Sequence, residues 1–142
     1  MQSVNSNPKM GKSKIKKKKN SFGDMVKTIL VVDDEPDIRE SVKLILEKEG
    51  YNVIIAVNAD DCLKKVQGSK KIDLILLDIM MPGTPVREII SKIKNIKIAF
   101  LSIVRTSEAE RENLLGEGTV VEFIQKPFDV KYLINKVGEI VK

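Results

Sequence analysis

A doubly wound α/β domain built on a five-stranded parallel sheet is predicted by three features of the sequence. Five short runs are almost wholly apolar, five stretches of helical period alternate with them, and the length suits one core. The runs are residues 28–32, 52–56, 73–77, 98–102 and 120–124. A strand buried on both faces reads as a continuous apolar run, whereas a half-exposed strand alternates. Each strand–helix–strand crossover is right-handed, so successive helices pack back onto the sheet and cover both its faces. The chain has 142 residues, 42% of them apolar, which is enough for one compact unit and too little for a second catalytic domain.

The elements follow in order. After the first run, Asp34 and Glu35 are candidate caps, and Pro36 takes a first helical position, where its missing N–H costs nothing. Ile38, Val42, Ile45 and Leu46 then form an apolar stripe that ends at Gly50. Asn58 caps a second helix running through Leu63 and Val66 to Gly68, and a third spans 86–94 with Ile89, Ile90 and Ile93 inward. A fourth begins near Ser107 and runs through Leu114 and Leu115 to Gly116. The fifth carries Val130, Leu133, Ile134 and Val137 on its apolar side.

Residues 1–24 are read as a disordered basic tail and 25–142 as the folded domain. The tail holds seven lysines and one acid, a net of +6, so a total of +5 leaves −1 for the remainder. Rich in Lys, Ser and Asn, the tail has too little apolar surface to offset the entropy of ordering. It reads first as a solubilising extension and second as an electrostatic arm for nucleic acid or anionic lipid, with only weak, low-specificity nucleic-acid binding. The near-neutral domain itself offers no nucleic-acid footprint. No apolar run approaches the ~18 residues of a membrane span, and no signal-peptide core follows the basic start, so the expected location is cytoplasmic and no membrane partner is expected.

Composition removes whole classes of chemistry. There is no histidine, hence no Ser-His-Asp or Cys-His relay. Cys62 stands alone, so neither an internal disulfide nor a cysteine-based zinc site can form. It reads as a small apolar residue on the second helix, and Lys64, Lys65, Lys70 and Lys71 read as a solvated surface. What remains is carboxylate, amine and hydroxyl chemistry.

In parallel α/β sheets ligands bind beyond the carboxyl ends of the strands. The residues at those ends are Asp33 and Asp34, Asp78, Ser102 and Lys126. An aspartate after a strand is, by itself, most often a turn former. Three carboxylates at one edge repel one another unless a cation or a proton intervenes, and an all-oxygen set without His or Cys suits Mg2+. With Lys126 opposite and a hydroxyl beside it, such a site can stabilise the oxygens of a transferring phosphoryl group, with a carboxylate as nucleophile.

The segments Ile29-Leu30-Val31-Val32-Asp33-Asp34-Glu35-Pro36, Leu76-Leu77-Asp78-Ile79-Met80-Met81-Pro82-Gly83 and Lys126-Pro127-Phe128 together resemble the receiver domain of bacterial and archaeal two-component response regulators, in particular its stand-alone, CheY-like members. The resemblance covers residues 25–142. It implies a flavodoxin-like sheet of strand order 2-1-3-4-5 and an Asp78 that accepts a phosphoryl group from a sensor histidine kinase or a phosphotransfer protein. It implies Mg2+ held by Asp33, Asp34, Asp78 and the backbone carbonyl of Met80. Ser102 and Lys126 then act on the phosphoryl group, while Ser102 and Phe123 switch position with it. Partner binding on the face of the fourth helix, fifth strand and fifth helix follows, with phosphorylation-dependent dimerisation as one form of it. Such a domain is not an enzyme, since it catalyses only its own phosphorylation and dephosphorylation.

Three positions depart from the family pattern. Ile103 stands where a small residue usually follows Ser102, Pro85 and Val86 replace a frequent Asp-Gly, and the segment from Asp78 to Ser102 is short, leaving Thr106 as the second candidate for the hydroxyl. Two other functions compete. An aspartyl-phosphate phosphatase would place a second carboxylate two residues after the nucleophile, where Met80 stands, and a phosphate-independent interaction module would have no need of all five site residues.

Overall fold

The computed structural model describes residues 26–68, 71–81, 85–102 and 119–142. The basic tail, the predicted fourth helix, Ile103 and Thr106 lie outside the described residues. The strands are β1 (Thr28–Val32), β2 (Asn52–Ala56), β3 (Leu74–Asp78), β4 (Lys97–Ser102) and β5 (Val120–Gln125). The helices are α1 (Pro36–Lys48), α2 (Ala59–Gly68), α3 (Val86–Lys92) and a C-terminal helix (Val130–Val141). The five strands form one parallel sheet in the order β2-β1-β3-β4-β5, as expected.

Alternate strand residues feed two cores. Leu30, Val32, Ile75, Leu77, Phe100 and Phe123 face α2 and α3, where Cys62, Ile89 and Ile90 complete the packing. Ile29, Val31, Leu74, Leu76, Ala99 and Leu101 face α1 and the C-terminal helix, meeting Val42, Leu46, Leu133 and Val137. The apolar runs are continuous because each strand must fill both cores. Truncating any of the fully buried leucines, such as Leu46 or Leu76, would cost about 2–5 kcal/mol in lost transfer energy and cavity.

Several local expectations need correction. Glu35 is the N-cap of α1 but makes no side-chain cap bond; the Asp33 carboxylate accepts the Glu35 amide instead, at 2.9 Å. Asn58 does cap α2, accepting the Asp61 amide at 2.8 Å. Asp78 is the last residue of β3 rather than the first beyond it, and α3 stops at Lys92, two residues early. Pro85, extended at ψ 143°, serves as the α3 N-cap. Val130 is 48% exposed at the start of the C-terminal helix instead of facing inward. Lys65 is not merely solvated: its ammonium donates to the Ile55 carbonyl at 2.9 Å and pairs with Asp61. After α1, Gly50 takes φ 93°, a left-handed conformation that lets the Tyr51 amide reach back to the Leu46 carbonyl.

Register decides what meets at the carboxyl edge. Val32 pairs with Leu77, which places Asp33 level with Asp78, and Asp78 pairs with Leu101, so Ser102 comes one step later. Between β4 and β5 the register shifts by one residue, from Ile98 opposite Val120 to Ala99 opposite Glu122. A one-residue shift exchanges the faces of everything beyond it. It therefore sets Phe123 opposite Phe100 on the α2–α3 side, and brings the Lys126 amide to the Ser102 carbonyl at 2.7 Å.

Candidate functional site

The five residues at the strand ends converge. Asp33, Asp78, Ser102 and Lys126 are all buried, with Asp33 fully so, while Asp34 is exposed at the mouth. Carboxylate oxygens of Asp33, Asp34 and Asp78 all lie within 4.8 Å of one another. The Lys126 ammonium donates to Asp33 Oδ2 at 2.7 Å and stands 3.9 Å from Asp78 Oδ2. The strands place three of these groups: Asp78 ends β3, Ser102 ends β4, and Asp33 directly follows β1, where its amide donates to the Ala56 carbonyl at 3.3 Å.

The Asp78 carboxyl is held above the usual carboxylate range. Burial is the largest cause, and the charges of Asp33 and Asp34 act in the same direction. The Met80 amide, donating to Asp78 Oδ1 at 3.0 Å, and the Lys126 ammonium oppose the shift. One ammonium cannot neutralise three carboxylates. The cluster therefore presents an excess of negative charge, built wholly of oxygen donors, which fits a hard divalent cation such as Mg2+. Met80 itself stands at the rim, 58% exposed.

Phe123 is buried, at 7% exposure, with its ring 5.1 Å from that of Phe100 and tilted 58° to it. It thus stands in the inward position of the movement expected of it. Ser102 closes β4 one residue beyond Leu101, the partner of Asp78, and its carbonyl accepts the Lys126 amide at 2.7 Å.

The sequence reading missed Arg39. From the first turn of α1 its Nη1 donates to the Asp33 backbone carbonyl at 2.8 Å, while its Nε is buried with no hydrogen-bond partner among the described residues. The available signal was a cation in the first turn of a helix, where the positive end of the helix dipole disfavours it.

The sheet order, together with an aspartate trio and a lysine at its carboxyl edge, defines a CheY-like receiver fold. The profile of the response regulator receiver domain matches residues 29–138, and the chain belongs to that family, which serves two-component signalling. Response regulator GtcR of Aneurinibacillus migulanus is 35% identical over 106 residues, covering 74% of this chain and 43% of its own length. The alkaline phosphatase synthesis transcriptional regulatory protein PhoP of Bacillus subtilis is 34% identical over 120 residues, 83% of this chain and 50% of its own. The chain thus spans about half the length of these curated relatives. Among solved structures, response regulator TrrA of Thermotoga maritima, in complex with Mg2+–BeF, superposes with a TM-score of 0.70 at 34% identity, over 81% of this chain and 99% of that one. A CheY-like receiver protein of Methanospirillum hungatei gives 0.71 at 31% identity, over 80% of this chain and 92% of that one. Among the described residues no helix is long and apolar enough to cross a membrane.

Proposed function

We propose that this domain is a phosphorylation-driven switch in which Asp78 accepts a phosphoryl group from the phosphohistidine of a sensor kinase or phosphotransfer protein. The observation that carries this reading is the meeting of the Asp33, Asp34 and Asp78 carboxylates, within 4.8 Å, beside the Lys126 ammonium. Asp33, Asp34, Asp78 and the Met80 carbonyl are the groups that would hold Mg2+. When bound, that ion offsets the negative charge of the acceptor and of the incoming phosphoryl oxygens.

The chain's own residues do the rest. An Asp78 carboxylate oxygen attacks phosphorus in line; the P–N bond breaks, and the imidazole leaves with its electron pair, taking a proton from solvent. Lys126, already within 3.9 Å of Asp78, balances the charge that arrives there. The Ser102 hydroxyl is drawn toward the acyl phosphate, and the space behind it bears on Phe123 and the Phe100 ring packed against it. The output is a change in what binds the outer face of β5 and the C-terminal helix, a downstream protein or a second copy of the chain, selected by differential affinity for the two forms. The domain turns over only its own phosphate and works in the cytoplasm, where such kinases deliver it.

Incubation with acetyl phosphate and Mg2+, read by intact mass for wild type and Asp78→Ala, tests the reading. An acid-stable, base-labile gain of one phosphoryl group confined to wild type is expected. No adduct from acetyl phosphate or from a histidine kinase would leave a phosphate-independent interaction module.

A further inference from the structure

The Arg39 side chain sits at an energetic disadvantage twice over. It places a cation in the first turn of α1, against the positive end of the helix dipole, where a cation is disfavoured. It also buries Nε without a partner among the described residues, and an unsatisfied buried donor is destabilising. In return, Nη1 reaches across six residues to the Asp33 carbonyl at 2.8 Å. That carbonyl belongs to the peptide unit joining Asp33 to Asp34. Two neighbouring bonds hold the same turn: the Asp33 carboxylate accepts the Glu35 amide at 2.9 Å, and the Arg39 amide donates to the Glu35 carbonyl at 3.1 Å.

We infer that Arg39 is a positioning residue, whose bond to the Asp33 carbonyl locks the Asp33–Asp34 peptide so that both carboxylates meet Asp78 ready for a divalent cation. The inference rests on the proposed metal-dependent function and adds to it a residue outside the acidic cluster. Asp34 needs such a lock most. It is exposed and lies beyond β1 without a strand pairing, whereas Asp78 is paired with Leu101 and the Asp33 amide donates to the Ala56 carbonyl at 3.3 Å. A turn free to sample other peptide orientations would have to be ordered whenever a cation binds, and that cost would weaken binding. Arg39 bonds a carbonyl rather than any of the carboxylates, which separates this role from a simple charge effect. A nearby positive charge acting only through its field would repel a dication, so its removal would tighten binding. Removal of a positioning group does the opposite.

The test is calorimetric titration of Mg2+ into the phosphate-free chain for wild type, Arg39→Met and Arg39→Lys, with NMR of the Asp33 carbonyl carbon and Asp34 amide nitrogen in the metal-free proteins. Arg39→Met is expected to raise the Mg2+ dissociation constant about tenfold, near 1.4 kcal/mol, and to move both resonances. Arg39→Lys, which keeps a donor but not the planar fork, should recover part of the affinity. Should Arg39→Met fail to fold, Arg39→Lys carries the test with a loss of roughly threefold, about half of the tenfold effect in free energy. Unchanged or tighter Mg2+ binding in the folded variants overturns the positioning role while leaving the proposed function standing. Wild type that binds no Mg2+ overturns both.

Discussion

The Lys126 ammonium is bonded to Asp33 at 2.7 Å and lies 3.9 Å from Asp78, so in this structure it is committed to a carboxylate of the candidate metal site and only adjacent to the candidate acceptor. The two partners are 93 residues apart in sequence, and both are almost wholly removed from water. A buried carboxylate left without its counter-charge is strongly unfavourable, which gives Lys126 a structural duty in addition to any catalytic one.

Replacing Lys126 by Met should therefore destabilise the metal-free chain by about 3–5 kcal/mol, the usual loss when one member of a buried pair is removed. Mg2+ should return a large part of that stability, because a cation at Asp33 replaces the missing charge. Urea titrations with and without Mg2+ measure both effects. A variant as stable as wild type in the absence of metal would mean that the pair is worth little.

The Asp78 carboxyl makes the opposite prediction. Its proton is held more tightly in the folded chain than in the unfolded one, chiefly through burial and then through Asp33 and Asp34. Ionising it thus opposes folding: the penalty is absent below the ordinary carboxylate range and grows as pH rises through and above it. Asp78→Asn should raise the metal-free Tm by a few degrees at neutral pH and by nothing at pH 3. Protons and Mg2+ compete for the same oxygens, so the wild-type affinity for Mg2+ should fall as the pH is lowered into the carboxylate range, as thermal shifts across a pH series would record.

Much of this site was legible in the sequence, because strand ends are legible: Val32 before Asp33, Leu77 before Asp78 and Ile124 two residues before Lys126 mark where the runs stop. The sheet order came from the family resemblance and agrees with the observed pairing. What could not be read were facts that depend on distance rather than on pattern. The choice of Lys126 between Asp33 and Asp78 is one. The contact of Arg39 with a backbone carbonyl is another, since a carbonyl carries no sequence signature. The exchange of faces within β5 is a third, because the shift opposite Ile98 depends on how β5 pairs with β4.

Cys62 supplies a probe of α2. The thiol is fully buried, and desolvation, with a smaller contribution from Asp61, pushes its pKa up to about 12. At pH 8 its thiolate fraction is about a thousandfold below that of an ordinary cysteine, before any steric block is counted. Reaction with an aromatic disulfide reagent should be correspondingly slow in buffer and reach the free-thiol rate in denaturant. Fast labelling of the native chain would mean that α2 opens readily from β1 and β2.

The Phe100–Phe123 pair depends on the register shift between β4 and β5. Without that one-residue offset Phe123 would point toward α1 and the C-terminal helix, away from Phe100 and from the core that α2 and α3 cover. The rings meet at 5.1 Å with a 58° tilt, a favourable edge-toward-face approach expected to contribute about 0.5–1.5 kcal/mol beyond area burial. A double-mutant cycle with Phe100→Leu and Phe123→Leu should return a coupling of that size in the unphosphorylated chain. If Phe123 transmits phosphorylation, the coupling must change when Asp78 is phosphorylated or carries a beryllofluoride mimic, because the ring cannot respond to Ser102 and keep an identical contact with Phe100. An identical coupling in both forms would show that Phe123 is core packing alone, and the signal would have to leave the site by another route.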